Sequence, residues 1–201
     1  MNDVTRRTAL VTGLAAALAA SLPAAPALAL TEARAKALVE QVVRDINAVI
    51  ASGRPLSQMI AQFEHIFRRY GDVNIIARST LGADSRRATP AQMRAYTNAF
   101  RGYIARKYGK RFNEFKGGRI EVRGVRKVKS WYEVITTVYL PGAAPFEVRF
   151  LISDRSGKDL FFDMVIEGVS LRLSERTEIG SMLDRRRGNI DALIQDLKTA
   201  G

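Results

Sequence analysis

The chain has 201 residues, 32 Lys and Arg against 20 Asp and Glu, a net charge of +12, one His and no Cys. Without cysteine there is no disulfide framework, no thiolate metal site and no lipid-modified N-terminal Cys, and any Ser-His-Asp arrangement would rest on His65 alone. A basic balance of this size suits an anionic partner; the plain alternative is a solvated basic exterior.

Residues 1–29, MNDVTRRTALVTGLAAALAASLPAAPALA, have the three parts of an export signal. Arg6 and Arg7 form the positive end, Ala9 to Leu22 the apolar core, and Ala27-Leu28-Ala29 a small-x-small site with cleavage after Ala29. The core is short for a membrane span and is interrupted by Thr12, Gly13 and Ser21. Thr5-Arg6-Arg7 leaves the twin-arginine route open beside the general one. Export makes lipid surfaces or acidic protein faces better anionic partners than nucleic acid. Residues 30–201 suit a single domain.

Thr31 caps a predicted helix running to about Ala51, with Leu38, Val42 and Ile46 recurring every four residues. Ser52-Gly53-Arg54-Pro55 ends it. In LSQMIAQFEHIFRRY the apolar stripe of Met59, Ile60, Phe63, Ile66, Phe67 and Tyr70 is wide and aromatic, and His65 falls at its polar edge. Asp72 starts a short helix ending at Leu81-Gly82. Thr89, Pro90 and Gln92 compose a capping box with proline at the first helical position, opening a long helix to roughly Phe112.

From Gly117 the period changes from helical to two. GRIEVRGVRKV, SWYEVITTVYL, FEVRFLISD and FFDMVIEGVSL read as four strands, with turns at Pro141-Gly142 and at Ser156–Asp159. Tyr132, Val134, Val138 and Leu140 share one face of the second; Phe146, Val148, Phe150 and Ile152 face inward from the third. Helices across Leu173 to Arg186 and from the cap Asn189 close the chain. The fold expected is α+β: a twisted antiparallel sheet of about four strands with helices on one face.

Two carboxylates, Asp163 and Glu167, lie four apart in the fourth strand and would share a face, with Phe162, Met164 and Ile166 on the other. Such a pair suits acid/base work, but the polar face of a half-buried strand ending in a Glu167-Gly168 bend accounts for it with less. No HExxH, P-loop or Rossmann glycine pattern occurs, and Asp72, Asp84, Asp163 and Glu167 lack the spacing of a calcium loop. A non-enzymatic role without cofactor or metal is expected.

Two stretches resemble the MlaC family of periplasmic phospholipid-binding proteins. One is LGADSRRATPAQMRAYTNAFRGYIARKYGKRFNEFKG; the other, FFDMVIEGVSLRLSERTEIGSMLDRRRGNIDALIQDLK, holds Asp163-Met164 and Glu167-Gly168-Val169-Ser170. Phe161, Ile179 and Ser174-Glu175 stand where many members differ. The resemblance implies a monomeric carrier that shuttles glycerophospholipids between an outer-membrane lipoprotein complex and an inner-membrane ABC transporter with an MCE-domain subunit, as part of an Mla-type system maintaining outer-membrane lipid asymmetry. The bound phospholipid would be cargo, its acyl chains held in an apolar cavity between sheet and helices. A sterol- or hopanoid-like ligand is the alternative cargo, and an interaction protein with a filled core the alternative without one.

On that reading the cavity wall takes Val134, Val138, Val148, Phe150, Ile152, Met164 and Ile166 from the sheet, with Phe63, Phe67, Ile76, Phe100 and Ile104 from the helices. The head group stays near the mouth, in water, with weak selectivity. The basic residues Arg106, Lys107, Lys110, Arg111, Arg185, Arg186 and Arg187 are candidates for docking to acidic partner faces or anionic head groups.

Overall fold

The computed structural model describes residues 29–201, and only the backbone of residues 112 and 113. The export signal expected at 1–29 lies, except for its last residue, outside the described residues. No helix among the described residues is long and apolar enough to cross a membrane.

Helix α1 (Glu32–Ala51) begins at Thr31, whose side chain accepts from the N–H of Arg34. Its start is tied to the far end of the sheet: the Leu30 N–H donates to Asp154 at 3.0 Å and Arg34 pairs with Asp159 at 2.7 Å. Helix α2 (Leu56–Tyr70) and α3 (Val73–Leu81) are joined at Gly71 and the cap Asp72. Here the chain touches the sheet, since the Asp72 N–H donates to the Phe161 carbonyl at 2.8 Å. A Cβ on Gly71 would lie 2.7 Å from the Phe67 carbonyl oxygen and 2.9 Å from the Phe161 ring, so only glycine fits this junction.

The expected capping box is present at the start of α4 (Pro90–Gly109), with the Thr89 and Gln92 side chains each accepting from the other's backbone. The helix ends three residues earlier than expected and tightens into a 3-10 segment, Lys110–Phe115. Gly109 explains the change: it is a poor helix former, and a Cβ there would stand 2.8 Å from Ile60 on α2, so the two helices cross where no side chain intervenes.

Five antiparallel strands follow in the order β1-β2-β3-β4-β5. They are β1 (Arg119–Val128), β2 (Trp131–Tyr139), β3 (Phe146–Ser153), β4 (Leu160–Ile166) and β5 (Val169–Ser170). The fifth, two residues long, is one more than expected; it pairs Ile166 with Val169 across the Glu167-Gly168 turn. Because Ser170 caps the next helix, α5 (Leu171–Arg185) starts two residues earlier than the pattern indicates. Helix α6 (Ile190–Thr199) follows the cap Asn189.

Register corrects one face assignment. Leu151 pairs with Asp163 but Ile152 pairs with Phe161, leaving Phe162 as an extra residue in β4. A bulge of this kind interrupts strict alternation, so Phe161, Met164 and Ile166 stand opposite the inward Ile152, Phe150 and Val148. Phe162, expected inward, instead meets Trp131 edge-on at 6.0 Å. Among the described residues, α1 to α5 face the inner side of the sheet across the interior and α6 packs on α4. The largest fully buried side chains, Tyr96, Phe100 and Tyr103, follow one another along α4 with ring centroids 5.8 and 6.2 Å apart.

Candidate binding cavity

The inward face of the sheet is apolar along most of its length, and the helices do not fill the space above all of it. Between them lies a cavity of about 670 Å³. Its sheet wall is Ile120, Thr136, Val138, Phe146, Val148, Phe150, Phe161, Met164 and Ile166. Its helical wall is Val42 and Ile46 of α1, Phe63, Ile66 and Phe67 of α2, Ile76 of α3, and Phe100 and Ile104 of α4. The Thr136 hydroxyl spends its proton on the Val148 carbonyl at 2.7 Å, so even this polar lining residue offers the cavity little to bind.

Polar lining is gathered at one end. Lys107, Tyr108, Arg111 and Glu114 come from the end of α4 and the 3-10 segment, and Glu167, Arg172, Ser174 and Glu175 from the β4-β5 turn and α5. The lining residues exposed to solvent are Arg111, Glu114, Glu167, Val169 and Ser174, all at this end, which is therefore the opening. Val169 and Leu173, 59% and 54% exposed, are the large apolar side chains left uncovered among the described residues, and both belong to the same rim.

Ten of the twelve residues nominated for the wall line the cavity: Phe63, Phe67, Ile76, Phe100, Ile104, Val138, Val148, Phe150, Met164 and Ile166. The other two, Val134 and Ile152, share the inward face but are fully buried outside the lining. Val134 lies level with Phe150, its register partner, and Ile152, paired with Tyr132, lies past it toward the closed end; both are packed in filled core. Phe161 was hidden from sequence reasoning by the bulge. Val42, Ile46 and Ile66 belong to helical stripes that show which face is apolar, not whether that face meets a neighbour or a void.

A buried carboxylate stands in the wall near the opening. Glu175, 2% exposed, accepts from Tyr108 at 2.5 Å and from Lys107 at 2.7 Å. Lys107 also donates to Glu178 and, at 3.1 Å, to the Tyr103 hydroxyl. Burial pulls the Lys107 ammonium down, but its hydrogen bonds to Glu175 and Glu178 outweigh that and leave it above the usual lysine range. The same hydrogen bond to Lys107 holds Glu178 below the ordinary carboxylate value. Burial, reinforced by the two carboxylates, pushes the Tyr103 and Tyr108 phenols well up. This cluster fastens α4 to α5 beside the cavity.

Asp163 has both oxygens occupied. Oδ1 accepts the N–H groups of Met164 at 2.9 Å and Arg172 at 3.0 Å, and Oδ2 accepts the Ser170 hydroxyl at 2.6 Å. It thus anchors the N-terminus of α5, where the helix dipole favours a negative charge, while Glu167 stands apart on an exposed turn. His65 is exposed, with Nδ1 3.1 Å from Arg68. Among the described residues no cluster of three His, Cys, Asp or Glu could hold a metal ion.

Most of the docking candidates have work inside the molecule. Arg106 donates to the carbonyls of Ala200 and Leu197 at 2.8 and 2.5 Å, binding the end of α6. Lys107 belongs to the Glu175 cluster, Lys110 donates to the Gly201 carbonyl, and Arg111 pairs with Glu114 at 3.1 Å. Arg186 forms a two-pronged pair with Asp196 at 2.6 Å. Arg185 and Arg187 are exposed.

The fold has a close counterpart in a phospholipid-binding protein from Ralstonia solanacearum, solved in complex with a phospholipid. The two align with a TM-score of 0.70 over 81% of this chain and 94% of that one, at 19% sequence identity, a likeness of fold. The family model described as MlaC protein matches residues 36–199, from the second turn of α1 to the last residue of α6. Across nearly the whole described chain the match is to one family, and the protein belongs to the MlaC family.

Proposed function

We propose that the protein is a periplasmic phospholipid carrier. It takes a glycerophospholipid into the cavity by its acyl chains and passes it between an outer-membrane lipoprotein complex and an inner-membrane ABC transporter with an MCE-domain subunit, in an Mla-type system that maintains outer-membrane lipid asymmetry. The observation that carries this reading is the open, apolar cavity of about 670 Å³, within the roughly 300–1,000 Å³ range of ligand sites. The phospholipid bound to the protein of the same fold and the signal-like residues 1–29 support it.

The energetics require such a site. Lifting a diacyl lipid from a bilayer exposes some thirty methylenes, on the order of 20 kcal/mol at about 0.8 kcal/mol each. A carrier must replace most of that loss without binding so tightly that it cannot release its cargo. The apolar wall does the first, and an opening lined by solvated side chains permits the second. No bond is made or broken, so the role is not enzymatic, and no cofactor is needed.

Transfer of a labelled phospholipid from donor to acceptor vesicles tests the proposal. The protein should accelerate transfer in proportion to its concentration, and raised salt should slow delivery to anionic acceptors through its basic surface. No acceleration at any concentration would overturn the carrier reading; salt-insensitive delivery would remove the basic residues from docking.

A further inference from the structure

The cavity opening has a charge pattern that the whole-chain balance conceals. Although the chain carries +12, the lining holds three cations, Lys107, Arg111 and Arg172, against four carboxylates, Glu114, Asp163, Glu167 and Glu175. Each cation has a carboxylate ion-pair partner, although the buried Arg172 Nε–H has no hydrogen-bond acceptor among the described residues. Lys107 is held by Glu175 at 2.7 Å and by Glu178, Arg111 by Glu114 at 3.1 Å, and Arg172 by Asp163 at 3.6 Å and the Ser79 hydroxyl at 2.6 Å. Glu167 is left over: it is exposed at the rim, and its carboxylate has no hydrogen-bond or ion-pair partner among the described residues.

Its position is held by the backbone. Glu167 and Gly168 both have positive φ, 48° and 85°, in the two-residue turn joining β4 to β5. The Glu167 N–H donates to the Glu147 carbonyl at 3.0 Å. Turns with two positive φ values favour Asn, Asp or Gly at the first central position, and glutamate is uncommon there. Local folding therefore supplies no reason for this side chain, whereas its place at the mouth does.

Resting on the carrier reading, we propose that the opening is a head-group subsite for ammonium-bearing, zwitterionic phospholipids, with Glu167 as the acceptor. With the acyl chains in the apolar wall, phosphate and head group lie at the rim. A primary ammonium there has three donors to offer a carboxylate. A head group without one brings its phosphate charge to a mouth whose cations are already neutralised and whose spare charge is negative. Selectivity, expected from sequence to be weak, thereby acquires a direction. As Glu167 is solvated, the bias is that of an exposed ion pair, roughly two- to fivefold at low ionic strength.

The experiment is competitive loading. The protein is incubated with vesicles of equal parts phosphatidylethanolamine and phosphatidylglycerol with identical acyl chains, and bound lipids are identified by native mass spectrometry. The ethanolamine lipid should be enriched roughly two- to fivefold, and the ratio should fall to near one in Glu167→Gln and below one in Glu167→Lys, with the thermal midpoint unchanged as the control for folding. Equal loading by the unaltered protein, or an enrichment that Glu167→Gln leaves intact, would overturn the subsite while leaving the carrier reading standing. Loading of neither lipid would overturn both.

Discussion

Asp163 Oδ1 accepts the backbone N–H of Arg172 at 3.0 Å while its Oδ2 takes the Ser170 hydroxyl at 2.6 Å, so one buried carboxylate joins β4 to the first turn of α5. That connection sets the rim of the cavity, because Val169, Leu171, Arg172, Ser174 and Glu175 all line it from this corner. Removing the carboxylate leaves the N–H groups of Met164 and Arg172 and the Ser170 hydroxyl without their acceptor. Asp163→Ala should cost about 2–4 kcal/mol, lowering the thermal midpoint by roughly 5–15 °C for a chain of this size. Asp163→Asn, which keeps one acceptor, should fall between. Thermal denaturation followed by circular dichroism checks the order; an Ala variant as stable as the parent would remove the anchor from the account.

The Lys107 cluster predicts where pH acts. The Lys107, Tyr103 and Tyr108 values are raised, so their contribution to stability is complete below the ordinary range near about 10 and is lost as pH rises through the folded values. The Glu178 value is lowered, so its contribution is present above about 4.3 and is lost as pH falls through the folded value. Stability should be flat through neutrality and fall at both ends. Tyr70 and Tyr96 are also raised, chiefly by burial. Tyrosinate absorbance from these four phenols should therefore be delayed to higher pH, with Tyr96, Tyr103 and Tyr108 ionising only as the protein unfolds. A single ordinary titration of all six tyrosines would contradict it.

Phe150 and Ile152 are neighbours on one strand face but differ in what they border. Phe150 lines the cavity and meets Phe161 edge-on at 5.9 Å; Ile152 is fully buried outside it. Ile152→Ala should cost about 2–5 kcal/mol, the cost of a new void in packed core, with bound lipid retained. Phe150→Ala enlarges a space that already exists, so its cost should sit at or below the low end of the roughly 3–5 kcal/mol of a filled site, and retained lipid should change. Denaturant titration paired with lipid extraction separates the two. If Phe150→Ala collapses stability and leaves lipid retention intact, that residue is core.

Gly71 is the joint between α2, α3 and β4. A methyl there meets the Phe67 carbonyl at 2.7 Å, a backbone atom that cannot swing aside. Gly71→Ala should destabilise by about 1–3 kcal/mol, the range for overpacking, even though its φ of −94° suits alanine. Equilibrium unfolding measures this directly, and a neutral substitution would show that the junction can relax.

How far the sequence reaches can be judged from particular residues. Thr31, Asp72, Thr89 and Asn189 announce their helices because a cap is a local bond within three residues. The inward sets of β2 and β3 follow from alternation alone. Phe161 does not, because a bulge is an event between two strands and only the pairing of Leu151 with Asp163 and Ile152 with Phe161 reveals it. The same limit separates Val134 and Ile152 from the wall: periodicity identifies a face, while cavity and packed core differ only in what stands opposite. Arg106 and Lys107 read as free surface charge because their partners, Ala200, Leu197, Glu175 and Glu178, lie more than sixty residues away.

Native mass spectrometry of the purified protein, followed by lipid extraction from the same sample, decides whether the cavity carries a phospholipid. A bound mass matching a phospholipid is expected, released on denaturation and identified as such in the extract. A protein that is empty and takes up no phospholipid from vesicles, or that holds a sterol- or hopanoid-like molecule instead, would contradict it.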